Sequence, residues 1–421
     1  PTFTNGDESC AGPSETFTIT VTPTAQVNDL DNIVLCNDAD STEIVFTTDN
    51  QNGTTLYTWT NNDTSIGLGS GGTGNIASFN ATNETTEPVT AIIEVTPSYD
   101  STLDCEGPSK TFTITVNPTG QVDPLPSQVV CNGDLTTVDF STENTGGTTT
   151  YAWISSENLG SGLAGTGDIS FTAINTTTDL LVSTFTVTPT FTNGDESCAG
   201  PSETFTITVT PTAQVDQIDT QILCNNEQTT LISFTTENTG GTTTYSWTNN
   251  TPSIGLNPTG DGDIEPFTAL NNGLEPITAT IEVTPSFEGC DGPTETFTIT
   301  VNPTAEMVDP VDLVVCDEEV TDIVEFTTNI TGGTTTYNWT NDSPAIGLAT
   351  SGSGDLPSFI ALNSGTESIV AIVEVTPLFT GDINCDGISQ TFTITVNPSA
   401  QVDQPTDQVI CNGDQILVNF S

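Results

Sequence analysis

The chain has 421 residues, of which 55 are Asp or Glu against a single basic residue, Lys110, with no His, for a formal net charge of -54. That balance excludes a Ser-His-Asp or Cys-His centre, a His-based metal site and a Lys/Arg phosphate grip, and it disfavours nucleic acid and anionic membrane surfaces, whose affinity comes from basic residues that release counterions. No run is long and apolar enough to predict a direct membrane span.

Acidity of this order suits disorder, but charged residues make up only 13% of the chain, hydrophobic residues 33%, and the aromatics recur at regular places. We therefore expect a folded chain with a solvated, self-repelling surface. No basic, apolar leader stands at the N-terminus. The chain instead opens in mid-phrase: PTFTNGDESCAGPSETFTITVTPTAQV, from Pro1 to Val27, returns letter for letter from Pro189 to Val215. The expectation is an interior window of a longer array that continues past both ends.

Cysteine gives the period. Cys10, Cys36, Cys105, Cys131, Cys198, Cys224, Cys290, Cys316, Cys385 and Cys411 alternate between gaps of 26 and gaps of 66 to 69, so that the unit is 92 to 95 residues long. A Tyr-x-Trp keeps step at Tyr57/Trp59, Tyr151/Trp153, Tyr245/Trp247 and Tyr337/Trp339. Pro23, Pro118, Pro211, Pro303 and Pro398 each follow a strand-like run and mark the handover between units. These marks divide the chain into 1–22 (the C-terminal part of a preceding repeat), 23–117, 118–210, 211–302 and 303–397 (four Ig-like repeats), and 398–421 (the N-terminal part of a following repeat).

Within a unit the apolar period is two. Phe112, Ile114 and Val116 alternate with Thr111, Thr113 and Thr115, which places one apolar face on a sheet. Val138 with Phe140 and Tyr151 with Trp153 mark two further strands, joined across TENTGGTTT, whose glycines suit a turn. Short runs between turn signals add to about seven strands per unit, as in an antiparallel sandwich. The fold class is therefore all-β, a tandem array of Ig-like or PKD-like antiparallel sandwiches. Strands of about 8 residues at about 3.3 Å each make four such domains an extended rod on the order of 150 Å. The four Trp residues, Trp59, Trp153, Trp247 and Trp339, are read as core.

The Tyr-x-Trp strand, the CNGD phrase at Cys131 to Asp134, and TFTITVNPT at Thr111 to Thr119 (TFTITVNPS at Thr391 to Ser399) resemble the PKD-like and Ig-like tandem repeats of giant Bacteroidota cell-surface adhesins. That resemblance implies export by the type IX route, an extracellular or cell-surface location, and a role in surface adhesion. One departure stands out: a PKD repeat follows its Trp with a Gly-Asp-Gly turn, whereas Trp59 is followed by Thr60, Asn61 and Asn62.

Two cysteines per unit in a His-free chain read as disulfides formed in an oxidising place. Two pairings stand open. Pairing within a unit, Cys36 with Cys105 and so on, closes loops of nearly 70 residues worth about 4 kcal/mol in the chain-entropy model. In an Ig-like topology, however, the first Cys lies near the A–B turn and the second near the F–G loop, at opposite ends. The A–B end of one domain faces the F–G end of the next, so in the other pairing Cys36 with Cys198, Cys131 with Cys290, and Cys224 with Cys385 would staple neighbours. Self-made Lys-Asn isopeptide bonds are excluded as a general device, because each domain would need a Lys.

The remaining candidates are weaker. Calcium, the candidate cofactor, prefers oxygen ligands, and the richest acidic clusters are Asp261, Asp263 and Glu265, then Asp317 and Glu318 with Glu319 and Asp322, then Asp29 and Asp31. None has EF-hand spacing. Asp168, Asp263 and Asp355 recur after a Gly-rich turn, a series that Asn75 breaks. Gly-x-Gly turns such as Gly165-Thr166-Gly167 lack the helix start and lysine of a phosphate cradle. Asp40-Ser41-Thr42 and Asp100-Ser101-Thr102 match only the first two positions of a bacterial O-glycosylation motif. Duplicating a whole domain duplicates no evident active site, so the expected function is a non-enzymatic stalk or fibre segment. Its expected partners are neighbouring repeats, other copies in a fibre, or surface glycans.

Overall fold

The computed structural model describes residues 1–51, 53–99 and 105–420. Asp100-Ser101-Thr102 falls outside them. The chain divides into two compact units, Pro1–Pro211 and Thr212–Ser421, at one of the proline handovers. Each unit holds two β-sandwich repeats. Among the described residues the helical content is three short 3-10 turns.

Unit one begins with an exposed hairpin, β1 (Thr2–Asn5) and β2 (Glu8–Ala11). The repeat over 23–117 follows with β3 (Ile33–Cys36), β4 (Thr55–Asn61), β5 (Gly71–Thr73), β6 (Val89–Tyr99), β7 (Cys105–Glu106) and β8 (Lys110–Asn117). They form one sheet in the order β3-β8-β6-β4-β5, with the short β7 folding back on β6. Opposite it, two isolated antiparallel bridges, Asp40 with Asn80 and Ile44 with Ile76, supply the second layer. The period-two alternation of Val89–Tyr99 sends Ala91, Ile93 and Val95 inward, where they meet Ile114 and Val116 from β8 and Trp59 from β4. Each buried Ile or Val of this kind stabilises the fold by about 1.5–3 kcal/mol.

The repeat over 118–210 repeats the plan with β9 (Gln128–Cys131), β10 (Leu135–Val138), β11 (Thr148–Ser155), β12 (Ala164–Thr166), β13 (Ile169–Thr172), β14 (Leu181–Asn193), β15 (Glu196–Ala199) and β16 (Glu203–Thr210). Here the second layer is a regular pair, β10 with β13. Unit two holds β17 (Gln221–Cys224), β18 (Thr243–Asn249), β19 (Thr259–Asp261), β20 (Ile277–Phe287), β21 (Cys290–Asp291) and β22 (Glu295–Asn302). Its second repeat holds β23 (Leu313–Cys316), β24 (Thr334–Asn341), β25 (Ser351–Ser353), β26 (Ile369–Thr380), β27 (Asn384–Asp386) and β28 (Gln390–Asn397).

Two features depart from the sequence expectation. The sandwiches are not wholly antiparallel, because the first strand of each repeat runs parallel to the last, as in β3 with β8 and β17 with β22. The entering strand takes the free edge of the closing strand, and that places Cys36 opposite Asn117. In addition, the first TFTITV, at 16–21, forms no strand and leaves Phe17, Ile19 and Val21 about four-fifths exposed. Residues 399–420 are likewise exposed and carry no strand.

The four Trp side chains are buried, at 3 to 8% exposure, and the Gly-x-Gly turns explain how. The first glycine of each turn lies flat against an indole: a Cβ at Gly72, Gly165, Gly260 or Gly352 would stand 2.2 to 2.6 Å from the Cζ2 of its Trp. The second glycine serves a different need, since Gly74, Gly167, Gly262 and Gly354 have φ near +70°.

Candidate functional site at the repeat joints

The densest recurring chemistry lies where one repeat meets the next within a unit. In unit one, β14 runs past the end of its sheet and turns back through β15, and this hairpin carries Cys198, which is 2% exposed. Cys198 is joined by a disulfide to Cys36, at the end of β3 in the preceding repeat, with the two Cα atoms 5.4 Å apart. Unit two repeats the arrangement: Cys385, on the β26–β27 hairpin, is joined to Cys224 at the end of β17, with Cα atoms 5.6 Å apart. Of the two pairings open in the sequence, these cysteines take the one between neighbours. Cys131 and Cys290 are also disulfide-bonded, whereas Cys10, Cys105, Cys316 and Cys411 are free thiols.

Hydrogen bonds and packing reinforce each disulfide. The Asn117 side chain, fully buried beside Cys36, donates to the backbone carbonyl of Asn193, and the Asn193 side chain donates back to Asn117 Oδ1. In unit two a small apolar cluster of Ala305, Ile330, Phe379 and Cys385 closes around Cys224.

A second contact sits across the joint from the disulfide. The Thr145 amide donates to the Thr86 carbonyl at 2.9 Å, and the Thr331 amide donates to the Leu274 carbonyl at 2.8 Å. Both amides belong to the Thr-Gly-Gly turns. Gly146 and Gly332, with φ of 74° and 76°, press on Pro88 and Pro276 of the preceding repeat, and the next glycines, Gly147 and Gly333, leave room for Phe191 and Phe379. A turn that reads in sequence as a strand connection therefore also docks the neighbour.

The linker is held as well. In each of the four full repeats the Cys-x-Gly at the second cysteine places its glycine against the incoming Pro-Thr-Ala or Pro-Thr-Gly segment: a Cβ at Gly107, Gly200, Gly292 or Gly387 would lie 1.8 to 2.2 Å from the carbonyl oxygen of Ala25, Gly120, Ala213 or Ala305. No side chain fits there, so the linker is clamped backbone to backbone.

The acidic residues singled out for calcium serve the protein itself or face solvent. Asp263 Oδ1 accepts the Phe234 amide, as Asp168 does for Phe140 and Asp355 for Phe326. Asn75 completes the series, since its Oδ1 accepts the Phe46 amide. What recurs is an acceptor oxygen, which Asn and Asp both supply. Asp317 accepts the Asn363 amide and the Ser399 hydroxyl. Glu318 occupies a left-handed turn position (φ 67°) where the repeat over 118–210 places Gly133 (φ 92°), and Glu319 accepts the Cys316 amide. Asp261 and Glu265 are exposed on and beside β19. Asp29 pairs with Lys110, and that hydrogen-bonded ammonium holds its carboxyl below the usual carboxylate range; Asp31 and Asp322 are exposed. Among the described residues, no three or more His, Cys, Asp or Glu converge as a metal cage.

Burial raises the Tyr57, Tyr151, Tyr245 and Tyr337 phenols above their ordinary range. Their rings pack on Phe46, Phe140, Phe234 and Phe326 at 5.2 to 5.5 Å between centroids.

The fold and joints thus define a chain of tandem β-sandwich repeats cross-linked to their neighbours. No protein-family model matches it, and no curated protein does. Among solved structures, it is similar to Drosophila N-cadherin EC1-4 (14% identity, TM-score 0.27, 88% of this chain and 99% of that one). It is also similar to the human Desmocollin-1 ectodomain (13%, 0.28, 91% and 83%) and to Sidekick-1 immunoglobulin domains 1-5 (12%, 0.27, 89% and 80%). Scores this low carry no argument about what the chain does.

Proposed function

We propose that the chain is a non-enzymatic structural segment, a stalk or fibre element, of a long extracellular bacterial surface adhesin. The observation that carries this reading is the stapled joint, built the same way twice from Cys36–Cys198 and Cys224–Cys385. Disulfides of this kind form and persist in oxidising, extracellular surroundings. The bacterial surface assignment draws on the sequence resemblance. An architecture that commits Asn117, Gly146, Gly332 and its paired cysteines to joining neighbours serves length and alignment.

The test is small-angle scattering of the oxidised chain together with a glycan array. A stalk gives an extended particle on the order of 150 Å, four strand-built domains end to end, and no glycan signal. Reproducible glycan binding moves the function to the repeats themselves, acting by avidity. A globular particle overturns the stalk reading.

A further inference from the structure

The two disulfides have a consequence for how the chain carries load. Cys36–Cys198 brackets residues 37–197, and Cys224–Cys385 brackets residues 225–384. Pulled from its ends, the chain has a covalent short cut: tension passes from Cys36 through sulfur to Cys198, along the backbone to Cys224, and through sulfur to Cys385. The only backbone on that route is the 26-step segment from Cys198 to Cys224. It consists of the closing strand β16, the Pro211 linker and the entering strand β17. The residues of these two strands are already near full extension.

We infer that the staples make the array a nearly inextensible tether, in which the body of each stapled repeat lies off the load path. The inference rests on the stalk reading for its purpose and on the disulfide connectivity for its mechanism. Without staples, a sandwich that opens under tension lengthens the chain by its whole contour and exposes strand-forming sequence. With them, load that enters at Cys36 bypasses Trp59, Trp153 and the strands β4 and β11 that carry them. The repeats behave as spacers hung on a covalent line. Of the 26-residue gaps, the one from Cys198 to Cys224 is the line, while those from Cys105 to Cys131 and from Cys290 to Cys316 lie inside the bracketed, shielded stretches.

The experiment is single-molecule stretching of the full chain held at its two termini, oxidised and then reduced. At about 3.5 Å per extended residue, the oxidised chain reaches its limit near 350 Å and the reduced chain near 1,500 Å, about a fourfold difference. The readout is a covalent contour length, so it holds even for a variant that folds poorly. Cys198→Ser opens one short cut of 162 residues and lengthens the oxidised limit by several hundred ångströms at the same rise. Cys105→Ser, at a free thiol, leaves it unchanged. An oxidised chain as long as the reduced one, or a Cys198→Ser chain no longer than the parent, overturns the inference. A compact particle in scattering with the short limit intact instead overturns the stalk reading and leaves the load path standing.

Discussion

Breaking one staple should loosen the repeat that has no other, and by an amount the structure sets. The repeat over 23–117 owns Cys36 and Cys105, and Cys105 is free, so Cys36–Cys198 is its one disulfide. When that repeat opens while the next stays folded, its far end remains fixed at Gly120, which packs against the Cys198 carbonyl: a Cβ there would be 3.1 Å away. The disulfide therefore closes a loop of the 84 residue steps from Cys36 to Gly120. The chain-entropy model values such a loop at about 4.5 kcal/mol, and disulfides commonly deliver about 2–4. In Cys36→Ser/Cys198→Ser, hydrogen exchange followed by mass spectrometry should show the β6 and β8 amides opening at a free energy about 2–4.5 kcal/mol lower. Amides of β26 and β28, in the repeat stapled by Cys224–Cys385, should be unaffected. Equal exchange in both repeats, or a loss confined to residues next to Cys36, would refute the idea that the joint stabilises the whole preceding domain.

Three further outcomes follow from the local geometry. Gly165→Ala should cost about 1–3 kcal/mol because its Cβ would collide with Trp153, and Gly167→Ala about 1–2 because of its left-handed φ. Asn, which tolerates that conformation, should rescue position 167 and worsen position 165, a difference read by denaturant melts. Asp263→Asn should melt with the parent, since Asn75 already does the same work in the first repeat, whereas Asp263→Ala loses the Phe234 acceptor and about 2 to 5 °C; excess chelator lowering the parent's melt by as much would point instead to bound calcium. The four raised phenols stay neutral in the folded protein while the unfolded chain ionises near the ordinary value of about 10. Their contribution is therefore whole below that pH and is lost as pH climbs through the folded values. A phenolate absorbance titration with all tyrosines ionising together at the ordinary value would count against this.

Much of the architecture was legible because it lies in residue spacing. Alternation of period two exposes the strands of Phe112 to Val116, and the cysteine step exposes the unit length. What escaped the reading was contact between segments distant in sequence. Nothing in Ile33–Cys36 announces a parallel partner, because edge pairing depends on which strand closes the sheet. The second layer was equally hidden: among the described residues only Leu135–Val138 and Ile169–Thr172 pair regularly, while Pro266 and Pro357 remove a ladder donor in the corresponding segments of unit two.

The joint was half legible. Spacing and a topological argument brought Cys36 toward Cys198, but left pairing within the unit equally open. The Thr-Gly-Gly turn and the Cys-x-Gly hairpin looked like ordinary turn chemistry, and their docking roles appear only when a Cβ is placed beside Pro88 or the Gly120 carbonyl. The acidic clusters were misleading for a related reason. In sequence an Asp is a charge and a candidate ligand, whereas at Asp263 the folded chain uses one oxygen to hold its own backbone.

Everything proposed for this chain rests on which cysteine meets which, and peptide mapping without reduction reads that directly. The account predicts linked peptides carrying Cys36 with Cys198 and Cys224 with Cys385, with Cys105 recovered as a free thiol in the isolated 421-residue chain. Recovery of Cys36 linked to Cys105 would contradict it, returning each disulfide to a single repeat and removing the covalent line.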